Sequence, residues 1–153
     1  MKFLESKIPP LLIFVFTLAF MWGLAVITNE IGINSKIRFV FGVASLLIGG
    51  CVAISGILSF KKAKTTVDPI KLEKASSLVS TGIYQHTRNP MYVGLLFSLF
   101  SWACFLDNIF SLLFVLIFPL YITQFQIKPE ERMLESIFSK DYEFYKKRVR
   151  RWL

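Results

Sequence analysis

Four stretches of this chain carry no charged side chain: Ile8 to Asn29, Phe39 to Phe60, Asn89 to Leu106 and Asn108 to Ile127. Each is about 18–22 residues long, and at a helical rise of ~1.5 Å per residue each could cross a hydrocarbon core of ~30 Å. Four such stretches in 153 residues leave too little polar surface for a water-soluble domain, and a composition that is 54% hydrophobic with 16 phenylalanines agrees. The expected fold is therefore an all-α integral membrane protein in one domain. It has four transmembrane helices (about residues 9–28, 38–60, 89–106 and 109–127), a cytoplasmic loop (61–88) and an amphipathic, interfacial tail helix (129–150). The first stretch follows Lys2 and Lys7 as a signal peptide would, but its apolar run is too long and no small-x-small cleavage site follows it, so a retained helix is expected.

Charge sets the orientation. Lys36 and Arg38 are the basic residues between the first two spans, and the turn between the last two is Asp107-Asn108. The other 16 of the 18 Lys and Arg lie before the first span, in the 61–88 loop or after the fourth span. If every span crosses, those regions share one side. The positive-inside rule makes that side the cytoplasm, with both termini in it. The net charge of +8 is then a matter of topology and of attraction to anionic lipid. Nucleic acid is not expected as a partner, because no basic face is interleaved with aromatics away from the membrane. Cys51 and Cys104 fall in separate spans as small apolar packing residues, and no Cys or His spacing suggests a metal.

Local signals refine this layout. Pro9-Pro10 open the first span, where missing backbone donors matter little. Gly42, Gly49 and Gly56 recur every seven residues on one face of the second span, a pattern for close helix packing ahead of a ligand groove. In the 61–88 loop, Asp68-Pro69 and Thr81-Gly82 read as turns and Lys71 to Ser77 as a short interfacial helix; a loop of this length in a small protein is usually functional. Pro119 is expected to kink the fourth span. After Pro129, Glu130 and Glu131 occupy a helical first turn, where the helix dipole favours them. Leu134, Phe138, Tyr142, Tyr145 and Val149 form one apolar stripe, and Trp152 suits an interfacial anchor.

Two polar clusters meet the bilayer on the cytoplasmic side, Gly82 to Gly94 entering the third span and Pro129-Glu130-Glu131 leaving the fourth. The hairpin of those spans makes the clusters neighbours, so Arg88 is expected to face Glu130 or Glu131. A cation and carboxylates at such depth are costly unless paired or bound to a ligand. The plain alternative is an arginine reaching to lipid phosphate and two glutamates that cap a helix. His86, the single histidine, reads as polar surface, with proton acceptance as its alternative.

At these residues the chain resembles the isoprenylcysteine carboxyl methyltransferase family and its bacterial relatives, within the wider phospholipid methyltransferase group. The matching pieces are Ser77-Leu78-Val79-Ser80-Thr81-Gly82-Ile83-Tyr84, Arg88-Asn89-Pro90-Met91-Tyr92-Val93-Gly94, Glu130-Glu131, and the run from Phe138 to Val149; Thr65 to Pro69 also looks like the bacterial members. The motifs cover about residues 61–153. The resemblance implies an S-adenosylmethionine-dependent methyltransferase of the bacterial inner membrane that acts on a lipophilic small molecule, a carboxylate or another lipid-like nucleophile. It implies that Leu78 and Val79 line the cofactor site, that Tyr84 packs on the cofactor, and that Asn89, Pro90, Met91 and Tyr92 wrap it. Glu130 would bind a polar part of it, with Glu131 as the neighbouring choice, and Arg88 and Glu130 are the residues nearest to a catalytic role. Relatives often have histidine at Asn89, and the eukaryotic enzymes have one at Ser76. The eukaryotic enzymes also carry an arginine shortly before the glutamates, where this chain has Gln124, Gln126 and Lys128, so the prenylcysteine acceptor is not carried over. The competing expectations are a non-catalytic lipid- or partner-binding membrane module of the same fold, and a nicotinamide-dependent membrane reductase, against which the chain lacks a Gly-rich dinucleotide loop.

Overall fold

In a computed structural model, residues 8–63 and 77–153 are described, and every regular element among them is helical. The expected turn at Asp68-Pro69 and most of the expected helix at 71–77 lie outside the described residues. Helix α1 spans Pro10–Ile27, α2 Ser35–Lys62, α3 Pro90–Leu106, α4 Ile109–Ile122 and α5 Lys128–Arg148. A 3₁₀ turn covers Gly82–Gln85, and a π-helical segment, Thr123–Ile127, joins α4 to α5 without a break. Three helices are long and apolar enough to cross a membrane: α1, α2 and the continuous run Ile109–Arg148, whose apolar part is α4. Helix α3 is also apolar and, with 17 residues, is one residue shorter than α1.

Helix ends follow local chemistry. Pro10 opens α1 at a position that needs no backbone donor. The Asn34 side chain accepts from Lys36 N at 3.0 Å, which starts α2 several residues before its uncharged stretch, and Lys61 and Lys62 close it where the dipole favours cations. Asn108 caps α4 by accepting from the Phe110 and Ser111 amides at 3.0 and 3.1 Å.

The glycine stripe of α2 packs on α3. A Cβ on Gly49 would lie 2.8 Å from the Gly94 carbonyl oxygen, and one on Gly94 would lie 2.7 Å from the Gly49 oxygen and from Ala53 Cβ. Gly42 meets the Phe105 ring and Gly56 meets Pro90. Backbones this close gain dispersion contacts without relying on water, as helix pairs in lipid must. Helix α1 lies against α3 and α4, where Met21, Leu99, Phe118 and Ile122 are buried together.

The end remote from the Gly82–Gly94 and Glu130 segments is fastened by one turn. Asp107 adopts a left-handed conformation, φ 51°, and ends α3. Its carboxylate accepts from the Gly32 and Ile33 amides and pairs with Arg38 at 3.3 Å. Asn108 reaches Thr28 Oγ1 at 2.6 Å. The α1–α2 and α3–α4 connections are thereby one unit.

Two features depart from the sequence reading. The departure from α geometry in the fourth apolar stretch lies just past Pro119, at Thr123–Ile127, where wider turns re-aim the residues that follow. The tail is not one straight helix over 129–150. It starts at Lys128, breaks at Ser139 (φ 43°, ψ −115°) and ends at Arg148. The break folds the second half back, so that Lys146 pairs with Glu135 and Tyr142 and Tyr145 are buried beside Val79, Tyr84 and Val149. Val149 to Leu153 then run outside any helix as a strap back to the start of α3.

Candidate functional site

Three pieces of chain converge at one end of the bundle: residues 77–92, the start of α5 and the strap. Within the first piece Gly82 has φ +64°, a conformation that favours glycine, and the 3₁₀ turn it opens places Tyr84 inward and leaves His86 exposed. Tyr84 is buried, with its ring edge-on to Phe60 at 5.4 Å, and its carbonyl accepts from Tyr145 Oη at 2.8 Å. Burial pushes the Tyr84 phenol well above its ordinary range, with Tyr145 and Glu130 adding.

The two glutamates part company. Glu130 accepts from Tyr92 Oη at 2.5 Å, tying the first turn of α5 to the first turn of α3. Burial raises the Glu130 carboxyl to about 7; the Tyr92 bond opposes that rise and Glu131 adds to it. Glu131 turns the other way. Arg88 NH1 lies 3.0 Å from its Oε1, and Arg151 donates to both oxygens, Nε to Oε1 at 3.0 Å and NH2 to Oε2 at 2.7 Å. Arg88 also donates to Tyr142 Oη at a long 3.4 Å, and its Nε is buried without a partner. The carboxylate that faces Arg88 is therefore Glu131, while Glu130 belongs with Tyr84 and Tyr92.

The remaining expected residues fall around these two groups. Val79 is buried and Leu78 half-buried in the layer of Tyr84, Tyr142 and Tyr145. The Asn89 amide donates to the Arg151 carbonyl at 2.8 Å. Pro90 and Met91 lie against Gly56 of α2, on the scaffold side of the helix start. A separate groove of about 340 Å³ lies between α1 and α4, lined by apolar residues such as Leu12, Phe16, Phe20 and Phe114, and contains none of the residues above.

Sequence reasoning passed over Thr87, Tyr142 and Arg151. Thr87 is fully buried; its hydroxyl donates to the Arg151 carbonyl and accepts from Asn89 N. In the sequence Tyr142 reads as part of an apolar stripe, and Arg151 as part of the basic excess that sets topology. The Arg150 carbonyl accepts from Arg88 N at 3.0 Å, and the Trp152 indole donates to Thr123 Oγ1 at 3.0 Å.

The bundle and this polar cluster define a helical integral membrane protein with a carboxylate–tyrosine–arginine site at one end. The chain belongs to the phospholipid methyltransferase family, whose match covers residues 37–141. It is 32% identical over 120 residues to a protein-S-isoprenylcysteine O-methyltransferase of Schizosaccharomyces pombe, covering 74% of this chain and 50% of that protein. It is 26% identical over 110 residues to protein-S-isoprenylcysteine O-methyltransferase B of Arabidopsis thaliana, covering 71% and 55%. The chain thus spans about half the length of these two relatives. An uncharacterized protein of Haemophilus influenzae is 51% identical over 63 residues, which is 41% of this chain and all of that protein. No solved structure matches the chain at a significant level.

Proposed function

We propose that this chain is an S-adenosylmethionine-dependent methyltransferase of the bacterial inner membrane. It crosses the bilayer four times with both termini in the cytoplasm, and it methylates a lipophilic acceptor at the cytoplasmic interface. Family membership supports methyl transfer. The observation that carries the site is the Tyr92–Glu130 bond, which joins the helix start after Arg88 to the carboxylate after α4.

The residues present fit such a cofactor. Glu130 and the Asn89 amide would bind its polar groups, Tyr84 and Tyr92 would pack on it, and Leu78 and Val79 would line its apolar side. Pro90 and Met91 would shape the site from the α2 side rather than through polar contact. Arg88 has an unsatisfied buried donor, and a ligand carboxylate would satisfy it. Bound there, the cofactor would supply an electrophilic methyl group. The protein's part is alignment and electrostatics, for which no covalent nucleophile is required. An acceptor that is already a carboxylate needs no general base. A lipophilic acceptor reaches the interface from the bilayer and a water-soluble cofactor reaches it from the cytoplasm, so that is where the two meet.

Calorimetry in detergent with S-adenosylmethionine tests binding, and mass analysis of a lipid extract incubated with the labelled cofactor tests transfer and identifies the acceptor. Folded protein that binds no cofactor at millimolar concentration overturns the proposal. One observation favours a second reading, a non-catalytic lipid- or partner-binding module. Glu131 and Asn89 are already engaged by Arg151, as in a closed structural network. That reading requires Glu130→Ala and Arg88→Ala to leave function intact and no label to reach lipid.

A further inference from the structure

More cation surrounds Glu131 than one carboxylate neutralises. Arg88 and Arg151 both pair with it, leaving one positive charge over. The two arginines are not equivalent. Arg151 sits on the strap with its side chain 34% exposed and takes both carboxylate oxygens in the planar fork that suits a guanidinium. Arg88 is the buried one, its side chain 9% exposed, yet it holds Glu131 by a single terminal nitrogen and keeps a buried Nε with no acceptor. Leaving such a group unpaired is costly, more so when it is charged. Arg38, at the other end of the bundle, also has an unpartnered Nε, but there one arginine meets one carboxylate and no charge is left over.

The geometry points to Arg151 as the positioning residue of an anion site centred on Arg88. By taking both Glu131 oxygens, Arg151 leaves Arg88 a single contact with that carboxylate, and the Arg88 Nε and the excess positive charge stay available for the carboxylate of a bound ligand. This rests on the methyltransferase reading. The ligand carboxylate has two sources, the amino-acid end of the cofactor or an acidic lipophilic acceptor, and the same chemistry recognises both. The strap holds Arg151 in place: its carbonyl accepts from Thr87 and Asn89, and Trp152 anchors the next residue to Thr123. Arg151 itself touches neither ligand.

The test uses the full chain in detergent, with Arg151→Gln and Arg151→Lys. Calorimetry compares two pairs of probes: S-adenosylmethionine with its decarboxylated analogue, and palmitate with methyl palmitate. Arg151→Gln should weaken the carboxylate-bearing member of one pair about tenfold or more while the counterpart that lacks a free carboxylate stays within about twofold, and Arg151→Lys should recover part of the loss. Loss confined to S-adenosylmethionine identifies the carboxylate as the cofactor's; loss confined to palmitate identifies it as the acceptor's. Equal weakening of both members of a pair with a lower Tm means a structural role and overturns the inference, as does no change in either. Wild-type protein that binds palmitate over its ester but no cofactor sinks the methyltransferase reading and leaves the anion site standing. Wild-type protein that prefers neither carboxylate overturns the anion site.

Discussion

Arg88 and Glu131 meet at 3.0 Å, one just before α3 and the other in the first turn of α5, both with nearly buried side chains. Their separation in sequence is bridged by the α3–α4 hairpin, and Arg151 completes the contact from the strap. Removing the carboxylate would leave two guanidinium groups facing each other. Glu131→Gln is therefore expected to destabilise the protein by about 3–5 kcal/mol, the range for breaking one partner of a buried pair. Thermal unfolding in detergent reads the loss. The double variant Glu131→Gln/Arg151→Gln should recover part of it, because one stranded cation is removed with its partner.

The Glu130 carboxyl gives the protein a pH dependence of unusual sign. Its value when folded, about 7, lies above the ordinary 4.5, so between those limits the folded state keeps a proton that the unfolded chain has released. Stability from this group is fully present below about 4.5 and is lost as pH rises through about 7. Denaturation midpoints should therefore fall between pH 5 and pH 8. Glu130→Gln, uncharged throughout, should flatten that part of the profile; an unchanged slope would remove Glu130 as its source.

Tyr92→Phe removes the hydrogen bond that holds Glu130 down. The Glu130 carboxyl should then titrate at higher pH than in the parent protein. Cofactor affinity that depends on ionised Glu130 should show its midpoint displaced upward, with the two proteins converging at high pH. Calorimetric titrations across pH 6 to 9 read the displacement, and coincident profiles would detach Tyr92 from Glu130.

How much of this was legible in the sequence depended on whether a signal was periodic or conformational. The four uncharged stretches and the heptad of Gly42, Gly49 and Gly56 are periodic, and they locate the apolar helices and the α2–α3 contact. The convergence of the Arg88 and Glu130-Glu131 segments followed from the hairpin. Which glutamate meets Arg88 did not follow, because a π-helical segment rotates everything after Thr123 and nothing in Thr123 to Ile127 announces a wider turn. Arg151 was hidden for another reason. A stripe running on to Val149 reads as one straight helix, and only the bend at Ser139 returns the strap to Arg88.

That bend places a serine at positive φ, where a side chain is strained by roughly 1–2 kcal/mol and glycine is not. Ser139→Gly should raise the unfolding free energy by up to about 1 kcal/mol, because glycine's freedom in the unfolded chain offsets part of the relief. Ser139→Pro fixes φ near −65° and should unfold the tail. Differential scanning calorimetry of the two variants should move in opposite directions.

The tightest constraint on the site is remote from its chemistry. Gly94 lies two residues beyond Tyr92, and a methyl group there would sit 2.7 Å from both the Gly49 oxygen and Ala53 Cβ. One of these is backbone and the other is a side chain with no rotamer to yield, so α3 itself must move away from α2. Overpacking of this kind costs typically about 1–3 kcal/mol. The movement carries Pro90 and Tyr92 with it, because the first turn of α3 also rests on Gly56. Gly94→Ala should therefore weaken both stability and cofactor affinity, although no part of the new methyl reaches the site. Gly50→Ala is the control: a methyl there meets nothing within 4 Å, and relief of glycine's helical penalty should leave the protein as stable or up to about 1 kcal/mol more stable. Calorimetry of the three proteins separates the cases. If Gly94→Ala lowered Tm but left cofactor affinity untouched, the start of α3 would be mechanically independent of its contact with α2.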